Sequence, residues 1–189
     1  MKKYYAERSH KDMLDVLMSK EAKGPAVHYY MIRGGDEKTN ITVWEQGLVG
    51  AEYIKSYGHY HIGSVEEKYK ILQGEGILII QERETNSFGK HSSDEIKSFQ
   101  AKKIKAGDEI LIPPSSGHLI VNTGKTWLVT SDNSPFSLDN KESAGLPMHA
   151  DYESFKKLHG AAYYVVEKHG KPELVKNPNY KKVPDAKIE

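Results

Sequence analysis

The stretch Gly58-His59-Tyr60-His61, followed by Glu67 and then Gly74, decides how this chain is read. Residues two apart on a β-strand point to the same face, so His59 and His61 project together. The turn Ile62 to Glu66 folds the following strand back beside the first, and Glu67 opens that strand. A second stretch lies some 50 residues on: Gly107, then Pro113-Pro114-Ser115-Ser116-Gly117-His118, then Asn122. Prolines lack N–H donors and suit a strand end. His118 then begins a strand and supplies a fourth candidate ligand. Three imidazoles and one carboxylate form a mixed nitrogen and oxygen set, which suits Fe, Mn, Ni, Co or Zn rather than Ca or Mg. A lone H-x-H is ordinarily a solvated or structural pair. The specificity here comes from both stretches occurring in order on a strand-rich chain. The other six histidines (His10, His28, His91, His149, His159 and His169) read by default as core or loop residues.

Around these motifs the hydrophobic period is two. Ala26 to Arg33, Ile41 to Glu45, Glu52 to Ile62, Lys68 to Leu72 and Gly76 to Gln81 read as strands. So do Glu109 to Pro113, Leu119 to Asn122 and Trp127 to Thr130. Glycine-containing turns punctuate them at 34–36, 74–76, 106–108 and 123–125. Residues 82–102 read as a long polar hairpin excursion, and 132–150 as loop. Two terminal pieces break the pattern. Residues 9–22 predict a helix, with Leu14, Leu17 and Met18 on one face and a capping box from Ser9 to Asp12. A short helix over about 151–159 carries Phe155 and Leu158 inward, before a last hairpin turned at His169-Gly170. Many short strands at close spacing predict an all-β barrel or sandwich in one domain, residues 1–189, with short helices at its ends.

Bulk properties narrow the function. The 189 residues carry a net charge of +1, without the basic excess of a nucleic-acid binder. There is no cysteine, which removes disulfides and thiolate metal sites. No secretory leader or membrane span is visible, so the expectation is a cytoplasmic protein with no membrane partner. The lysines near the C-terminus (Lys176, Lys181, Lys182) read as a solvated tail.

The two motif stretches resemble the paired motifs of the cupin superfamily, which implies a double-stranded β-helix, or jelly-roll barrel. Glu67, rather than Glu66, leaves the six residues before Gly74 that the cupin spacing asks for. More narrowly, the chain is similar to the cupin-type glucose-6-phosphate isomerases of archaea and some bacteria. The likeness runs loosely from about residue 8 to 181 and is carried by Glu67-Lys68-Tyr69, Gly74-Glu75-Gly76 and the Pro113-Pro114…His118…Asn122 run. Ser56 stands where that family has threonine, and Tyr57 where it often has lysine.

The resemblance implies an aldose–ketose isomerase acting on a sugar phosphate, with one divalent metal (Fe, Mn, Ni or Zn) on His59, His61, Glu67 and His118. Glu67 is then also the candidate base for an enediol route; a hydride shift leaves it mainly a ligand. Tyr69, on the face of Glu67, would meet sugar hydroxyls. Thr42, Ser56 and the Gly58 N–H would hold the phosphate in a site of neutral donors. Ser56 has the wrong strand parity for this unless Gly58 breaks the strand. His149 and Tyr152 would stand at the pocket mouth, and a homodimer is expected. Two rivals share the motifs: a cupin dioxygenase, with Trp44, Trp127 and the tyrosines lining an aromatic pocket, and a non-catalytic sugar-binding cupin.

Overall fold

Alternating burial runs along the strands wherever one face looks inward. In the strand Asn40–Trp44, residues Asn40, Thr42 and Trp44 are buried while Ile41 and Val43 are less so. The computed structural model describes residues 4–34, 40–63, 66–134 and 150–189. In chain order its strands are β1 (Tyr4–Ser9), β2 (Val27–Arg33), β3 (Asn40–Trp44), β4 (Leu48–Val49), β5 (Glu52–Tyr53), β6 (His59–His61), β7 (Glu67–Gln73) and β8 (Glu75–Thr85). They continue as β9 (His91–Lys105), β10 (Glu109–Ile112), β11 (Gly117–Asn122), β12 (Leu128–Asp132), β13 (Ala150–Asp151), β14 (Tyr163–Lys168) and β15 (Lys171–Lys176). Two short helices, α1 (His10–Met13) and α2 (Glu153–Lys157), accompany them.

The strands form three sheets, of order β1-β2-β3-β12-β7-β10, β13-β6-β11-β8-β9 and β15-β14-β5-β4. The first two bring their inner faces together as a jelly-roll barrel. Across the first sheet the register sets Arg8 beside Tyr29, Tyr29 beside Trp44 and Trp44 beside Leu128. The next inward row runs Met31, Thr42, Thr130, Ile71. Apolar rows such as Ile71, Ile77, Ile79, Ile112 and Leu128 fill the body of the barrel. Polar residues collect at one end.

The expected helix over 9–22 shrinks to α1 and one 3₁₀ turn, Leu14–Val16. The capping box at its start is real: Ser9 N donates to the Asp12 carboxylate at 2.9 Å, and Asp12 N donates to Ser9 Oγ at 3.3 Å. Ahead of it lies β1, which sequence reading missed. Residues 82–102 are a hairpin, as expected, but one whose arms simply prolong β8 and β9 around a turn at Asn86. The last hairpin turns at His169-Gly170, both at positive φ, and Phe155 and Leu158 are buried. The C-terminal segment is no free tail. It runs beside β9, with bridges Glu95–Lys182 and Ala101–Ile188, and buries Tyr180 and Val183. Among the described residues no helix is long and apolar enough to cross a membrane.

His28 is fully buried, 3.1 Å from His10 through Nε2 and Nδ1. Burial, then His10 and Lys55, push its imidazole down to about 4. Such a group stays neutral in the fold but protonates when unfolded. Its stabilising contribution is complete above about pH 6.5 and is lost as the pH falls toward 4. The expected loss is about 3 kcal/mol. Urea unfolding at pH 7 and 4.5 should show it, and His28→Gln should flatten the dependence.

Candidate metal centre

The barrel's polar end places four ligands together. His59 and His118 lie directly opposite each other on β6 and β11, so their side chains share the inner face. His61, two residues on from His59, shares it too. Glu67 arrives from the other sheet, where β7 lies between β12 and β10. The expectation that β7 folds back beside β6 is therefore corrected: the carboxylate crosses the barrel to meet the imidazoles. Glu66 is exposed and Glu67 is 1% exposed, which agrees with the spacing to Gly74.

The ligand atoms of the four side chains all lie within 4.8 Å of one another. Glu67 Oε2 is 3.1 Å from His61 Nε2 and 3.3 Å from His118 Nε2. Donors about 2.1 Å from a common ion sit at about these mutual distances. The donor set and its spacing thus fit a divalent transition metal. All four residues are buried, so an ion there would be largely shielded from bulk water.

Local structure explains the placement. Gly58 has φ +83°, and a Cβ on it would come within 2.8 Å of the Phe155 ring. This break ends the expected single strand 52–62 and turns Ser56 inward, answering the parity objection. Ser56 lines the pocket, but its hydroxyl accepts the Ile120 N–H at 3.0 Å and so also serves the strand pairing. Gly117 faces the outward Tyr60 ring, which a Cβ would meet at 2.7 Å. In the turn Pro113 to Gly117, Ser115 takes a positive φ and Ser116 Oγ donates to Pro113 O at 2.6 Å. Asn122 is structural: its amide donates to Trp44, Glu45 and Thr126 carbonyls. Gly58→Ala should cost about 2–4 kcal/mol from forced φ and overpacking and should displace His59. Thermal unfolding and metal content check this together.

The pocket over the centre brings in Thr42, Ser56, Gly58, Tyr69 and Tyr152 as expected. Tyr152 packs at a tilt against His59, with ring centroids 5.4 Å apart, and meets Tyr57 edge-on. Burial, then repulsion from Glu67, raises the Tyr69 hydroxyl well above its usual range, so it stays a proton donor. Burial likewise pushes Tyr57 up to about 12. His149 lies outside the described residues. Trp44 lines the pocket, whereas Trp127 is half exposed and donates to Glu45.

The expected neutral donors are joined by two cations. Arg8 and Arg33 line the same pocket. The signal was present in the sequence: Tyr29, Met31 and Arg33 alternate on one strand face, so Arg33 had to point inward with them.

A family model described as glucose-6-phosphate isomerase matches residues 15–183. The glucose-6-phosphate isomerases of Thermococcus onnurineus (strain NA1) and Thermococcus gammatolerans are 29% and 28% identical over 150 and 149 residues. These matches cover 79% and 78% of this chain and 67% of each relative. Among solved structures, a predicted oxalate decarboxylase from Thermotoga maritima aligns with TM-score 0.40 and 21% identity over 68% of this chain and 88% of that one. The Drosophila melanogaster CENP-C cupin domain aligns with TM-score 0.38 and 13% identity, over 62% and 79% of the two chains.

Proposed function

Since the chain belongs to the glucose-6-phosphate isomerase family, a family of isomerases, we propose that it interconverts glucose 6-phosphate and fructose 6-phosphate with a divalent transition metal on His59, His61, Glu67 and His118. The observation that carries this reading is the buried four-ligand cage opening into a pocket of hydroxyl donors. When bound, the ion supplies Lewis acidity toward the sugar carbonyl and its neighbouring hydroxyl.

The rest of the chemistry falls to the chain's own groups. Glu67 is the carboxylate that lines the pocket and is the candidate to take the C2 proton and return it to C1. A direct hydride shift leaves it a ligand only. Tyr69 and Tyr152, whose hydroxyls remain protonated, orient the sugar and close water out above His59. Trapping of solvent deuterium at C1 or C2 during turnover distinguishes the two routes.

The test is a coupled assay of fructose 6-phosphate conversion on purified protein, run after chelation and again with Mn, Fe, Ni or Zn restored. Metal-restored turnover is the expected result. Turnover with none of these ions overturns the proposal. The reading also includes a cytoplasmic homodimer. Its support is family likeness together with Tyr5, Tyr30, Leu72 and Leu111, exposed on strands of the first sheet. Light scattering tests the dimer.

A further inference from the structure

We infer that Arg8 and Arg33 form a cationic anchor for the substrate's phosphate, on the pocket wall facing the histidines. This deepens the isomerase reading and rests on it for the identity of the ligand.

The two arginines reach the pocket by separate routes. Arg33 ends β2 on the face it shares with Tyr29 and Met31, while Arg8 sits on β1 directly across from Tyr29. Arg33 is 6% exposed and held by Asp132 at 3.3 Å, with Thr42 Oγ1 at 3.5 Å. Asp132 is itself fixed by Asn40 at 2.9 Å and by the Ser134 N–H at 3.0 Å. The guanidinium is therefore pre-set beside Thr42, the residue already expected at a phosphate.

Arg8 is differently placed. Its Nε is buried and has no hydrogen-bond partner among the described residues. Among the described residues the carboxylate acting on it is Asp12, which Ser9 already engages; it hydrogen-bonds the Tyr29 hydroxyl, and that of Tyr152 lies close. Arg8 is half-buried, and a ligand anion would offset the cost of drawing its guanidinium partly out of water. The planar donor fork of arginine matches the oxygens of a phosphate. Overall charge is near zero, so anion selection falls to these two guanidiniums within the pocket rather than to the surface.

The test uses metal-loaded protein and follows binding of inorganic phosphate by calorimetry, and of fructose 6-phosphate against free fructose. Arg8→Gln should weaken phosphate at least about tenfold and Arg8→Lys less, because lysine keeps charge but not the fork. Arg33→Lys should weaken it similarly. Metal content should stay unchanged in all three, and the preference for the phosphorylated sugar should shrink. Phosphate affinity within about twofold of the parent in folded, metal-loaded Arg8→Lys and Arg33→Lys, and in Arg8→Gln if it folds, overturns the anchor, since removal of a charge-assisted hydrogen bond costs more than that. A protein that binds phosphate through these arginines but isomerises no sugar phosphate removes the isomerase reading and leaves the anchor standing.

Discussion

Glu67→Gln is expected to strip the protein of metal and to lower fructose 6-phosphate turnover by at least about a thousandfold. Loss of an outer-shell partner alone typically costs 10–100-fold in metal affinity or activity, and Glu67 is closer to the centre than that. It is the one anionic member of the set of four, the other three being neutral imidazoles when they bind. Its Oε2 sits within 3.3 Å of both His61 and His118, the space an ion shared by them would border. An amide keeps the volume but surrenders the charge, so the barrel should fold while the site weakens. Two measurements check this. Elemental analysis after dialysis should find metal in the parent and little in the variant. A metal at 100 times its Kd stabilises by about 2.7 kcal/mol. At about 2–4 °C per kcal/mol for a domain of this size, the parent should gain roughly 5–10 °C in Tm on adding metal. The variant should gain almost nothing. A variant that keeps its ion and its Tm shift would show that the carboxylate is not a ligand, and the mechanistic role given to Glu67 would go with it.

The four ligands were legible because each depends on local regularity. The i, i+2 rule put His59 and His61 on one face, and the spacing to Gly74 separated Glu67 from Glu66. What the rule could not supply was which strand lies beside which. Sheet partners are chosen by long-range register, so Glu67 was expected from a neighbouring strand and came from the facing sheet. The helix over 9–22 failed for a related reason. Leu14 and Leu17 do share a helical stripe, but the chain leaves the helix after Val16 to meet the barrel, and Met18 N donates to Glu52 at 2.8 Å instead. Arg33 was missed by habit rather than by lack of signal, since a charged residue at an inward position of an otherwise apolar strand marks a functional or paired group. Arg8 had no signal: it fell just outside the predicted helix, on a strand whose alternation is too short and too polar to recognise.

That same tertiary meeting point produces the largest expected stability effect. Lys55 is 3% exposed and ion-paired to Glu52, which is 1% exposed. Its Nζ also donates to Val16 O at 2.6 Å and lies 5.1 Å from the centre of the Tyr164 ring. Glu52 in turn holds Met18 N. The pair therefore pins the N-terminal turn to the third sheet, away from the metal centre. Lys55→Met leaves the Glu52 carboxylate buried without its partner, and such a loss costs about 3–5 kcal/mol. Replacing both, as Glu52→Leu with Lys55→Met, removes both charges together. The double variant should recover most of that loss, short by about 1 kcal/mol because Met18 N and Val16 O lose their partners. Urea unfolding of the parent, the two single variants and the double variant closes the cycle. A single-variant cost under about 1 kcal/mol, typical of an exposed pair, would mean that water reaches this pair and that it does not hold the turn. Because neither residue touches the pocket, metal content should be the same in all four proteins, and a stability change without a change in metal is what separates this anchor from the site it supports.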